Sequence, residues 1–188
     1  MTLPQLDLST GLLPLGRFGA SLEEIRAAFV EDAAFSASST RSEIWTHFES
    51  ATDELRRIVP VSFAWIGGSF TTSKVDPDDI DVVYWAEDRK IDAIIDDEDA
   101  SLLEIFARNQ VRALTGLRVD TRVCHWHVQP ATGIQPTLEH NNYVKLRGFW
   151  DDFWLRKRAG LKTDPPIRAD ALPRRGYFEV ELDGLDVI

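Results

Sequence analysis

The sequence predicts an α+β domain, a mixed sheet packed against helices. Three observations carry that expectation. Two helix-opening capping signals precede the first apolar strand candidate. Two strand candidates then flank a glycine turn, and the remaining elements alternate helix, strand, helix, strand. The 188 residues, 44% of them hydrophobic and six of them Trp, suffice for one domain with a full core.

Taken in order, residues 1–20 contain Pro4, Gly11, Pro14, Gly16 and Gly19 and read as an extended N-terminal arm. Ser21-Leu22-Glu23-Glu24 is a capping box and opens a short helix with Leu22, Ile25 and Phe29 on one face. Thr40-Arg41-Ser42-Glu43 repeats the signal and opens a longer helix, with Ile44, Phe48, Ala51, Leu55 and Ile58 at helical spacing; Pro60 ends it. Residues 62–128 are expected to supply the core strands. Between them, 91–95 forms a helical turn, the acidic run Asp96-Asp97-Glu98-Asp99 lies on a solvated loop that also supplies negative charge to a helix N-terminus, and Ser101 to Leu114 forms a helix stopped by Gly116. The longest strand candidate runs from Leu117 to Val128. After a loop at 129–136, residues 137–188 supply a helix from Leu138 to Lys157 and a short edge strand over Phe178 to Leu182.

The chemistry concentrates in one stretch. Phe63-Ala64-Trp65-Ile66 leads into Gly67-Gly68-Ser69, and Asp79 follows Ser69 by ten positions, opening Asp79-Ile80-Asp81-Val82-Val83. Residues two apart on a strand share a face, so Asp79 and Asp81 aim into one space. Two adjacent carboxylates repel unless a proton or cation intervenes, and a divalent metal is the simplest remedy. Asp76 and Asp78, around Pro77, read as turn and capping residues and stay outside the site.

A Gly-Gly-Ser turn followed by Asp-x-Asp resembles the signature of the polymerase β-like nucleotidyltransferase superfamily, in its minimal form. Leu13-Pro14-Leu15-Gly16-Arg17, Leu22-Glu23-Glu24 and Arg174-Arg175-Gly176-Tyr177-Phe178-Glu179-Val180 extend the resemblance. Together they resemble an uncharacterised bacterial nucleotidyltransferase-like family found partly near mobile-element and phage-defence genes. The resemblance implies transfer of a nucleoside monophosphate from an NTP to a hydroxyl of a protein, RNA or small molecule, in a toxin–antitoxin or phage-defence setting. It implies Mg²⁺ (or Mn²⁺) as cofactor, with a partner protein as a further expectation. Asp79 and Asp81 would ligate the metal, because hard cations prefer carboxylate oxygens. Gly67 and Gly68 would leave the backbone open to phosphate, Ser69 would offer its hydroxyl and N–H, and Lys74 would be a further phosphate contact. Such sites carry a third carboxylate on a neighbouring strand, for which Asp120 is the candidate. On that strand Asp120 shares a face with Arg118 and Arg122, which could neutralise it instead.

Other features have blander readings beside the sharp ones. His125 and His127 could present two imidazoles to zinc, but without further ligands at metal spacing they read as ordinary histidines. Cys124 alternates away from them as a core thiol. The aromatic cluster at 149–154 reads first as packing and second as a wall for a nucleobase. Arg156-Lys157-Arg158 reads as a basic helix end, and it and Arg174-Arg175 are secondary candidates for RNA or phosphate contact.

A net charge of −10 disfavours broad attraction to nucleic acid or anionic lipid. One cysteine excludes an intrachain disulfide, and neither a secretory leader nor a membrane-length apolar run is present, so a cytoplasmic protein is expected. A second functional reading uses the same fold without catalysis, as a binding or regulatory protein: an antitoxin, sensor or assembly partner. An antibiotic-modifying adenylyltransferase is a narrower form of the first reading, ranked lower because such enzymes carry an extra helical domain.

Overall fold

The computed structural model describes residues 3–130, 137–161 and 163–185. A five-stranded mixed sheet organises them: β1 (Arg17–Gly19), β2 (Phe63–Gly67), β3 (Ile80–Glu87), β4 (Val119–Trp126) and β5 (Tyr177–Glu181). Their spatial order is β1-β5-β2-β3-β4. β1 runs parallel to β5 and β3 parallel to β4, whereas β2 is antiparallel to both β3 and β5. The α+β class read from the sequence is the one observed.

Local sequence explains most helix starts. α1 (Leu22–Arg26) opens on the expected capping box: the Ser21 hydroxyl accepts from the Glu24 N–H at 3.2 Å and the Glu24 carboxylate accepts from the Ser21 N–H at 2.9 Å. α2 (Arg41–Ile58) buries Ile44, Phe48, Ala51 and Leu55 as their spacing requires. Its start is capped differently from the expected box. The Ser38 hydroxyl accepts from the N–H groups of Thr40 and Arg41, while the Thr40 hydroxyl donates to the Pro77 carbonyl at 2.9 Å. The cap is thus used to tie the helix to the loop before β3.

Four expectations need correction. The acidic run does supply negative charge to a helix N-terminus, as expected, but from within the helix start and not from a loop: the Asp96 carboxylate accepts from the N–H groups of Glu98 and Asp99, and α4 (Asp97–Ala107) carries three acidic residues in its first turn, where the helix dipole favours them. The expected single helix to Leu114 is two, because Asn109 adopts a left-handed φ of 58° and α5 (Val111–Thr115) restarts after it; Gly116, at φ 78°, ends α5 as anticipated. The helical turn at 91–95 is displaced to α3 (Asp88–Asp92). Finally, β5 lies inside the sheet and the N-terminal arm contributes the edge strand β1. The alternating glutamates of β5 suggested a solvated face, yet Tyr177, Phe178 and Val180 are buried from opposite sides. Glu179 is satisfied within the fold by the Trp65 indole N–H at 2.7 Å.

Helices cover both faces of the sheet. Ala64, Ile66, Val82, Tyr84, Phe178 and Val180 join the core formed with α2 and with Phe106 of α4. Trp65, Val83, Trp85, Cys124 and Tyr177 form a second cluster closed by Trp154 of α6 (Leu138–Leu155). Asp81 is in phase with Val83 and Trp85, and Asp120 with Cys124, so both carboxylates belong to the face that α6 covers. Among the described residues, no helix is long and apolar enough to cross a membrane.

Candidate active site

The site begins where β2 ends. Gly68 takes φ +76°, and a Cβ there would lie 1.7 Å from Asp81 Oδ2; a Cβ on Gly67 would lie 2.8 Å from the Trp154 ring. The glycine turn therefore passes directly against a carboxylate and an indole, an approach that only glycine permits. Register places Asp81 between Gly67 on β2 and Asp120 on β4. Neighbouring strands are about 4.8 Å apart, so Asp81 and Asp120 stand side by side. They line a small cavity of about 160 Å³ with Asn109, Arg122, Trp150 and Trp154.

The sequence left open whether Arg118 and Arg122 would neutralise Asp120. Arg118 instead donates to the carbonyls of Asp78 and Pro77, at 2.7 and 3.1 Å, and pairs with Glu43 at 3.0 Å. Arg122 donates to the Thr121 carbonyl at 2.8 Å.

Asp79 precedes β3 by one residue and is engaged by an arginine that sequence reasoning missed. Arg112 of α5 donates to Asp79 Oδ2 at 2.6 Å and to Asp78 Oδ2 at 2.8 Å. The bond to Asp78, with the charges of Asp79 and Asp120, raises the Arg112 pKa above its ordinary value; reciprocally, Arg112 holds the Asp78 carboxyl below the usual carboxylate range. Among the described residues, no group of three or more His, Cys, Asp or Glu side chains is arranged to hold a metal ion. The available donors are nonetheless hard carboxylate oxygens, with two of them facing one cavity, which suits Mg²⁺ or Mn²⁺ in chemical type.

Two further arginines shape the turn and the loop after it. Arg41, 1% exposed, donates to the carbonyls of Phe70, Thr72, Lys74 and Val75, and to that of Phe29, while its guanidinium lies 3.8 Å from the Phe35 ring centroid. Burial lowers its pKa to about 10. The loop joining the glycine turn to the carboxylates is thus held from inside by one cation. Arg175 donates to the carbonyls of Gly68 and Trp154 at 3.2 and 3.0 Å. Its pKa is lowered by burial and raised in part by the charge of Asp81.

Of the remaining candidates, Ser69 is half-buried in the turn and its carbonyl accepts from the Thr72 hydroxyl at 2.8 Å. Lys74 is exposed, outside the carboxylate cavity, and its charge acts on Asp78. His127 Nδ1 bonds Asp88, whereas His125 is exposed. Cys124 is buried and its thiol is pushed up to about 12 by that burial, as a core cysteine should be. The aromatic cluster divides: Trp154 packs in the core while Phe149 and Phe153 are largely exposed. A larger cavity of about 710 Å³, lined by Asp88, His127 and Tyr143, shares Arg122 and Trp150 with the carboxylate cavity but is not lined by the carboxylates themselves. The expected loop at 129–136 lies outside the described residues from 131 onward.

Fold and site together define an α+β protein whose sheet presents a glycine turn to a pair of cross-strand carboxylates. The chain belongs to DUF6932, a family of unknown function, whose family model matches residues 4–181 and so spans every strand of the sheet. No curated protein and no solved structure matches the chain.

Proposed function

We propose that this protein is a divalent-metal-dependent nucleotidyltransferase, moving a nucleoside monophosphate from an NTP to a hydroxyl on a protein, RNA or small molecule. One observation carries the reading: the Gly67-Gly68 turn abuts Asp81, and Asp81 stands in register beside Asp120 on one cavity. Asp81 and Asp120 would hold Mg²⁺ (or Mn²⁺), with Asp79, paired with Arg112 in this structure, as the third candidate ligand; the ion would neutralise triphosphate charge and polarise the phosphorus. The chain's own contribution is positioning and proton handling. Gly67 and Gly68, expected to leave their backbone open to phosphate, are instead buried against Trp154 and Asp81; they bring the turn close to the carboxylate, and the half-buried Ser69 is left to offer its hydroxyl and N–H to the triphosphate. Asp120, on the strand at the sheet edge, can accept the proton of the attacking hydroxyl. A bond forms from that oxygen to the α-phosphorus, the bond from the α-phosphorus to its bridging oxygen breaks, and pyrophosphate leaves.

Purified protein incubated with labelled NTPs, Mg²⁺ and cell lysate should transfer label to an acceptor. Equal labelling by Asp81→Asn would defeat the proposal. The Arg112–Asp79 contact favours a second reading, a nucleotidyltransferase-fold binding or regulatory protein without turnover. That reading predicts nucleotide or partner binding with no metal-dependent product.

A further inference from the structure

We propose that Arg112 is a built-in counter-cation of the carboxylate site: it occupies Asp79 in the resting protein, and a divalent metal must displace it to recruit that carboxylate. The inference rests on the nucleotidyltransferase reading of the site. Its geometry is specific. The two terminal nitrogens of Arg112 divide between Asp79, at 2.6 Å, and Asp78, at 2.8 Å, so one guanidinium spans adjacent carboxylates. Asp120 is close enough for its charge to act on the same group. Asp81 and Asp120 face one cavity, while the third candidate ligand is turned toward Arg112. A carboxylate oxygen engaged by a charge-assisted hydrogen bond is a poorer metal donor, so arginine and metal compete.

The mounting of Arg112 suits displacement. It sits on the five-residue α5, between left-handed turns at Asn109 and Gly116. Its neighbour Val111 is buried and anchors the helix, whereas the Arg112 side chain is 38% exposed and can swing into solvent without opening the core. Asp78, 65% exposed, can retain the second nitrogen while Asp79 is released. The exchange is a local rotation of a surface arginine.

Mn²⁺ binding, read by electron paramagnetic resonance of the free ion and by calorimetry on the full chain, tests the proposal without requiring turnover. Arg112→Gln should bind Mn²⁺ about fivefold or more tighter than wild type, the lower end of ordinary coupling between competing contacts. Asp81→Asn should weaken binding in both backgrounds. Unchanged or weaker Mn²⁺ binding by Arg112→Gln, with wild type binding normally, overturns the counter-cation role and leaves the metal site standing. If neither protein binds Mn²⁺, both the role and the metal reading fail. A second measurement uses the unmutated protein. The side-chain N–H resonances of Arg112 should shift as Mg²⁺ is added, with the midpoint of metal binding; resonances that stay in place while the metal binds would also overturn the proposal.

Discussion

Gly68→Ala and Gly116→Ala form a matched pair that separates backbone strain from steric collision at the site. Both glycines have nearly the same conformation, φ +76° and +78°. Around Gly116 nothing lies within 4 Å of an added Cβ, whereas at Gly68 the added atom would meet Asp81 Oδ2 at 1.7 Å, Cγ at 2.6 Å and Cβ at 3.1 Å. Forcing alanine into the left-handed region costs about 1 kcal/mol in each case. Only Gly68→Ala adds the collision. Rotating the carboxylate relieves the first two contacts but not the third, so β3 must also shift. An off-rotamer side chain plus overpacking adds about 1–3 kcal/mol. The expected totals are about 1 kcal/mol for Gly116→Ala and about 2–4 kcal/mol for Gly68→Ala, or about 2–4 °C and 5–15 °C in Tm for a chain of this size. Urea and thermal unfolding measure both, and Mn²⁺ binding should fall in Gly68→Ala alone. Equal destabilisation of the two variants would refute the close approach of the turn to Asp81.

Arg41→Met should lower stability by about 3–5 kcal/mol in urea titrations, because it leaves buried carbonyls without donors, and Arg41→Lys should recover only part of that. Proteolysis of Arg41→Met under native conditions should cut within residues 69–78, and protection equal to wild type would argue against the internal brace. Arg175→Met should weaken nucleotide and Mn²⁺ binding together by loosening the Gly68 turn, with calorimetry as the check. At Asp183, burial pushes the pKa up, but the bonds from Arg56 and from the Val61 N–H outweigh it and the net shift is below the ordinary 3.8. Its stabilisation is therefore present above the unfolded pKa and lost as pH falls through the depressed folded value. Asp183→Asn should cost about 1 kcal/mol at neutral pH and flatten the acid limb of unfolding below about pH 4; an unchanged acid limb would rule this out.

Local signals made much of the fold legible. Helical spacing located α2, apolar runs located β2 and β3, and the Ser21 box and Gly116 marked a helix start and a helix stop. The candidate site was legible in part: the turn glycines and Asp81 are close in sequence and Asp120 fell on the neighbouring strand in matching register, whereas Asp79 turned to Arg112 and Lys74 lies outside the carboxylate cavity. What local pattern could not convey is pairing across long separations. Arg112 meets Asp79 from 33 residues away, and Arg175 meets Gly68 from 107. Arg41 looked like an unremarkable first-turn residue because its partners are backbone carbonyls, which leave no trace in residue identity. The place of β5 was hidden for a related reason. Its glutamates suggested solvent, and only the cross-strand partner Trp65 shows why one of them belongs indoors.

That interior place for β5 sets an order of assembly. β2 and β3 are separated by a short loop and can pair as soon as both are made. β1, the first strand in chain order, pairs in the sheet with β5 alone among the described residues, and β5 lies about 160 positions later. Closing so long a loop is entropically slow to find and gives the pathway its non-local step. The first strand must wait for the last, and Arg175, two residues ahead of β5, arrives with it to brace the glycine turn. Completion of the carboxylate cavity's surroundings is thereby tied to completion of the sheet, and a nascent chain exposing only the Asp79-Ile80-Asp81 stretch would not yet have its glycine turn braced.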